Sequence, residues 1–130
     1  MKALIKNETL EIRSNGKFVR DFLYVKDAVA GYIAIMKNFD KKGEAGHRLV
    51  PGEAFNFGSD DTYSVMDLIK LVEKALNRKI KYKILNTAKN EIPYQSLDFG
   101  KAQKMLTWKR SLTIKKIICT IYKWYFDFCY

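Results

Sequence analysis

The sequence predicts a mixed α/β fold in the order strand–strand–helix–strand–helix–strand–helix–helix, and three observations carry that prediction. Branched and aromatic runs such as "KFVRDFLYV" alternate with stretches whose apolar residues recur at helical spacing. Ser64 and Asp67 stand at the head of the clearest such stretch, in the spacing of a reciprocal helix cap. Turn-forming clusters, "SNG" above all, separate the runs.

The elements follow in order. Met1 to Asn7 has the pattern of a helix end, as expected of a piece whose helix began earlier. "LEIR" reads as a strand and "KFVRDFLYV" as a second one. Asn15–Gly16 between them predicts a hairpin, because both residues tolerate positive φ. Asp27 stands where an N-cap is expected, and Val25, Val29, Ile33 and Met36 follow at helical spacing with Tyr32 alongside. "DKKGEAGHRLVPGE" is a charged, glycine-rich surface loop, and "AFNFGS" a short buried strand. After Ser64, the residues Val65, Leu68, Ile69, Val72, Ala75 and Leu76 form one apolar face. "KYKIL" reads as a strand and "TAKNEIPYQS" as a loop. Asp98 caps a short helix carrying Ala102, Met105 and Leu106. A last helix begins near Thr113, with Ile114, Ile117, Ile118, Ile121, Trp124, Tyr125 and Phe128 on one stripe. That stripe packs either on this domain's own core or on a domain beyond these residues.

At 130 residues, with 48% of them hydrophobic, the chain is expected to form one domain, 1–130, with a real core. No apolar run reaches the ~18 residues that span a bilayer, and "MKALIKNETLEIR" alternates charge too closely for a signal peptide. A cytoplasmic protein with no membrane partner is the expectation. The formal charge is +10, but the basic pairs Lys41–Lys42, Lys109–Arg110 and Lys115–Lys116 sit in different segments. A solvated lysine-rich surface is the first reading, a site for a small anion such as a diphosphate the second, and no nucleic-acid partner is expected. Cys119 and Cys129 lie ten apart without a CxxC, and the lone His47 has no ligand-like companions. No metal site is expected, and the cysteines read as reduced, partly buried thiols.

Two polar residues sit awkwardly. On a strand, Arg20 shares a face with Phe18, Phe22 and Tyr24. A charge among apolar groups is costly unless paired, so Arg20 needs an anion: an internal carboxylate, or a ligand phosphate that its guanidinium fork grips at two points. Asn56, between Phe55 and Phe57, must likewise bond either a neighbouring loop or a ligand in a cleft. There is no GxSxG, HExxH, P-loop, GxGxxG or GxxGxxG, and no tyrosine is followed four residues later by lysine. No catalytic residue is assigned.

"RDFLYVKDAVAGY", "GEAFNFGSDDTYSVMDLI" and "NEIPYQSLDFGKAQKMLTW" together resemble the C-terminal part of NAD-dependent nucleotide-sugar epimerases and dehydratases, of the extended short-chain dehydrogenase family. The look is nearest to the sugar-nucleotide 4,6-dehydratases, and it covers Leu10 to Trp108. The resemblance implies the C-terminal, substrate-binding portion of a Rossmann-like fold, with the N-terminal Rossmann domain absent. It implies a lyase or isomerase whose NAD takes a hydride from the sugar's C4. In such an enzyme the NAD(P) glycines and the Tyr-x-x-x-Lys pair belong to the other portion, so a truncated chain binds no NAD(P) alone and is not catalytic alone. It also implies a nucleotide diphosphate sugar as ligand, with Arg20 on the diphosphate and Asn56 close by. Ile12 and Arg13 line the nucleotide, and Glu91 stands at the ribose. Asp21 and Asp27 are structural, and a Rossmann-domain partner or self-association is expected. The chain departs from the family where many relatives carry a second phosphate-binding arginine. Thr87 and Ala88 stand there, with Lys89 nearby, and Arg13 replaces an aromatic residue. These departures leave the base open. A non-enzymatic interaction module that has lost its Rossmann partner is the alternative.

Overall fold

A computed structural model of the chain describes residues 1–39 and 49–129. His47, the pair Lys41–Lys42 and most of the predicted glycine-rich loop lie outside them. The elements are α1 (Lys2–Lys6), β1 (Leu10–Ile12), β2 (Val19–Asp21), α2 (Val25–Asn38), β3 (Thr62–Ser64), α3 (Val65–Leu76), β4 (Tyr82–Ile84), β5 (Tyr94–Gln95), α4 (Gly100–Leu106) and α5 (Ile114–Phe128). They form two compact units. One comprises Met1–Arg20, Thr62–Gln95 and Ile114–Tyr130; the other comprises Asp21–Asp61 and Ser96–Thr113.

In the first unit, α1 ends at Asn7 in the left-handed conformation, as the N-terminal pattern predicts. β1 and β2 do not form the expected hairpin. β1 pairs parallel to β4, in the register Leu10 with Tyr82 and Ile12 with Ile84. β2 lies between β3 and β5, and pairs parallel to β5. The turn between them is also not the hairpin type. A type I′ turn needs positive φ at both central residues, and of Asn15 and Gly16 only Gly16 has it, at 79°. Ser14 Oγ accepts the Gly16 N–H and Asn15 Oδ1 accepts the Lys17 N–H, so side chains hold a different turn. The Met66 N–H then donates to the Gly16 carbonyl, which ties that turn to the start of α3. The residues read as one loop, "TAKNEIPYQS", contain the short strand β5.

α3 begins at the cap the spacing predicts: the Asp67 N–H donates to Ser64 Oγ at 3.1 Å, and the Ser64 hydroxyl donates to Asp67 Oδ2 at 2.6 Å. Its Val72 joins Leu4 and Ile118 in the core of this unit. α5 therefore packs on its own unit through Ile117, Ile118 and Ile114, while Trp124 and Phe128 at its end stay exposed. Both cysteines are free and exposed rather than partly buried.

The second unit is built on Leu49, Ala102, Leu106 and Trp108. "AFNFGS" is not a strand, because no described strand offers it a ladder. Its Phe55 and Phe57 pack on that core instead. α2 turns the face opposite to the expected one inward: Gly31, Ala34 and Ile35 pack, while Val25, Val29, Tyr32, Ile33 and Met36 are 45–76% exposed. Helical spacing identifies an apolar stripe without saying which way it turns. Gly31 decides the matter. A Cβ there would lie 2.5 Å from the Phe57 ring, so only glycine lets the helix approach so closely. Gly31→Ala is expected to lower stability by about 1 kcal/mol net in urea denaturation, overpacking outweighing alanine's helix preference. An increase would show that the ring yields freely.

Asp27 is not the N-cap either. Tyr24 is, and Asp27 is buried in the first turn. There Oδ1 accepts the Ser111 N–H and hydroxyl, and the Asp27 carbonyl accepts Trp108 Nε1–H at 2.9 Å. Asp98 does act at the start of α4: its Oδ1 accepts the Gly100 N–H at 2.8 Å, one residue before the N-cap Phe99.

Candidate functional site

Four of the five candidate binding residues belong to the first unit, and one continuous segment gathers them. Ile12 is buried at the end of β1, and its carbonyl accepts the Leu85 N–H at 2.8 Å. The exposed Arg13 follows, and its carbonyl accepts the Ala88 N–H at 2.9 Å. The same segment continues through the exposed Glu91 to Pro93, whose carbonyl accepts the Val19 N–H at 2.9 Å. β5 then sets Tyr94 against Val19 and Gln95 against Arg20. Residues 85–95 thus run from the end of β1 to β2.

Arg20 is half-buried on β2, the middle strand of its sheet. Its Nη1–H donates to its neighbour's carbonyl, Val19 O, at 2.7 Å. Among the described residues no carboxylate pairs with it. A guanidinium with five donors and one carbonyl acceptor retains the capacity to grip a diphosphate. The internal ion pair that composition favoured is therefore not formed with any described residue.

Asn56 lies in the second unit. It is exposed, and its Nδ2 donates to the Asp98 carbonyl at 3.3 Å, so the neighbouring-loop partner is the one found. Asp21 acts on the same loop, Oδ2 accepting the Leu97 N–H at 3.3 Å, in line with the local hydrogen-bonding role the resemblance implies for it. Gly58 is buried here, and a Cβ on it would come within 3.0 Å of Asp21 Oδ2 and 3.1 Å of the Leu97 carbonyl. Sequence reading missed the pair Arg110 Nη1–Asp61 Oδ2 at 2.9 Å. The doublet Asp60–Asp61 and the run "WKRS" were its only signal.

Among the described residues no glycine turn of the kind that cradles a dinucleotide is found. Such a site needs a glycine turn between a strand and a helix. The positive-φ glycines, Gly16 and Gly52, open no helix. Among the described residues there is no cluster of metal-ligating side chains, and no helix is long and apolar enough to cross a membrane.

Comparison with known proteins bears on this geometry. The model of the NAD dependent epimerase/dehydratase family matches residues 1–58. The UDP-glucose 4-epimerase of Bifidobacterium longum is 33% identical over 85% of this chain and 30% of its own length. The chain belongs to the NAD dependent epimerase/dehydratase family. Its fold agrees: the UDP-glucuronic acid 4-epimerase of Bacillus cereus, solved with UDP-glucuronic acid and NAD, superposes on 99% of the chain with a TM-score of 0.82, at 23% identity and over 38% of its own chain. The Bifidobacterium longum epimerase solved with NAD+ and UDP gives a TM-score of 0.78 at 28% identity, over 96% of this chain and 37% of its own. The chain spans about a third of the length of the curated relatives it matches. This family member thus has a Rossmann-like, mixed α/β fold with few strands.

Proposed function

We propose that this chain is the nucleotide-sugar-binding part of an NAD-dependent nucleotide-sugar 4,6-dehydratase or epimerase, a lyase or isomerase of the cytoplasm. The observation that carries the reading is Arg20: half-buried, central in its sheet, and matched by no described carboxylate. It takes one side of the ligand's diphosphate. Ile12 and Arg13 line the nucleotide from the end of β1, and Glu91 serves the ribose from the adjoining segment. NAD, where an intact family member holds it, supplies the hydride acceptor, and that site lies outside these 130 residues. The chain alone binds and orients substrate and is not catalytic.

A second reading is favoured by α2. Its stripe of Val25, Val29, Tyr32, Ile33 and Met36 is a continuous exposed apolar face. Such faces mark interaction sites. The portion that covers it is the NAD-binding part of the same enzyme, in one chain or as a separate subunit. A chain that keeps this face but not the ligand site is an interaction module.

Calorimetric titration separates the readings. UDP-glucose or dTDP-glucose is expected to bind the chain, and glucose alone is not. A chain that ignores every nucleotide sugar but self-associates in size-exclusion chromatography supports the module. A monomer that ignores them overturns both.

A further inference from the structure

The positive charge of this protein is gathered in one unit. Residues 1–20, 62–95 and 114–130 hold fifteen lysines and arginines against six acidic side chains, a net of +9 out of the chain's +10. A sugar nucleotide carries too little charge to account for that concentration.

The feature lies where α3 ends against α5. An open groove of about 380 Å³ is lined by Lys70, Glu73, Lys74, Asn77, Arg78 and Lys79. Glu73 is the one acidic group in it, and it is occupied: Oε1 accepts the Ile80 N–H at 2.9 Å, and Oε2 pairs with Lys79 at 3.2 Å. The Ile80 bond, followed by Lys79, holds its carboxyl below the usual range, so it stays charged and bound. Arg78 Nη1–H donates to Tyr122 Oη at 2.7 Å, and Tyr122 stacks on Phe126 with ring centres 6.3 Å apart. This joins the groove to α5.

The two helices run the same way. Cys119 Sγ meets the Ala75 carbonyl, and Tyr122 meets Arg78 just past the end of α3. The residues from Trp124 to Phe128 therefore reach beyond α3. Trp124, Phe126 and Phe128 are 53–74% exposed there. α5 also carries the exposed Lys116 and Lys123, the latter paired with Asp127 at 2.8 Å.

The geometry points to peripheral binding of an anionic phospholipid surface through this end of the unit, with Trp124 and Phe128 entering the headgroup region and Lys70 and Lys74 facing the phosphates. Aromatic side chains beside lysines favour that interface. A single-stranded nucleic acid would instead need free ring faces for its bases. Here the rings contact one another: Trp124 and Phe128 lie tilted with centres 5.9 Å apart, and Tyr125 meets Trp124 edge-on at 5.2 Å. The contact is at the surface, since no described helix can cross.

The chain carries its own reporter. It has two tryptophans, and Trp108 is buried, 3% exposed, so an emission change on vesicles reports Trp124. Phosphatidylcholine vesicles containing phosphatidylglycerol should sediment the chain at low salt and shift Trp124 emission to the blue. Pure phosphatidylcholine should do neither. Phe128→Ser should weaken binding about tenfold or more, and Lys74→Glu about fivefold or more, both with an unchanged far-UV spectrum. Failure to sediment with the anionic vesicles overturns the proposal. Retention on poly(U) RNA without a blue shift on vesicles overturns it in favour of nucleic acid. Dimerisation that buries Trp124 without vesicle binding overturns it in favour of a second copy. Loss of nucleotide-sugar binding leaves these outcomes unaffected.

Discussion

Arg20→Ala is expected to weaken nucleotide-sugar binding about ten- to 150-fold, the ~1.5–3 kcal/mol of a charge-assisted hydrogen bond. Among the described residues the side chain gives up one internal bond, to Val19 O. The strand itself is held by backbone pairing with β5 and by the Val19–Pro93 bond. The far-UV spectrum should therefore stay unchanged. Arg20→Lys keeps the charge and loses the two-point fork, so it should fall between wild type and alanine. Calorimetry with UDP-glucose reads all three. Equal affinities would remove Arg20 from the site and the proposed function with it.

Trp108→Ala is expected to cost ~3–5 kcal/mol, the range for deleting a large buried aromatic side chain. The indole is 3% exposed and contacts Leu49, Ala102 and Leu106. It also meets Phe57 and Phe99 edge-on, with ring centres at 5.0 and 5.9 Å. Its N–H donates to the Asp27 carbonyl, while the Asp27 carboxylate holds Ser111. Trp108→Phe keeps most of the volume and loses that hydrogen bond, so it should cost the order of 1 kcal/mol plus the smaller ring's share. Urea denaturation followed by circular dichroism measures both. A loss below ~1 kcal/mol for alanine would mean that this cluster does not organise the second unit.

Two local misreadings share one cause. The Asn15–Gly16 signal and the apolar stripe of α2 are both correct as chemistry. Gly16 takes positive φ, and α2 is a helix with the predicted spacing. What failed was the choice of partner. β1 could pair with β2 or with a strand some 70 residues away, and β4 is the one found. α2 could bury either of two faces, and the fit of Gly31 against Phe57 selects the one with less apolar surface.

Local composition alone determined the elements with their own chemistry: the Ser64 cap, the turn at Asn7 and the amphipathic α3. Each depends on residues within a few positions of one another, where side-chain and backbone preferences are set without the rest of the fold. Only the tertiary structure decided which carboxylates found partners, that Asp27 holds Ser111 rather than a helix end, and that nearly all of the net positive charge falls in one unit. Those outcomes rest on contacts between residues far apart in the chain. Such contacts follow from packing and the burial of polar groups, which no local pattern encodes.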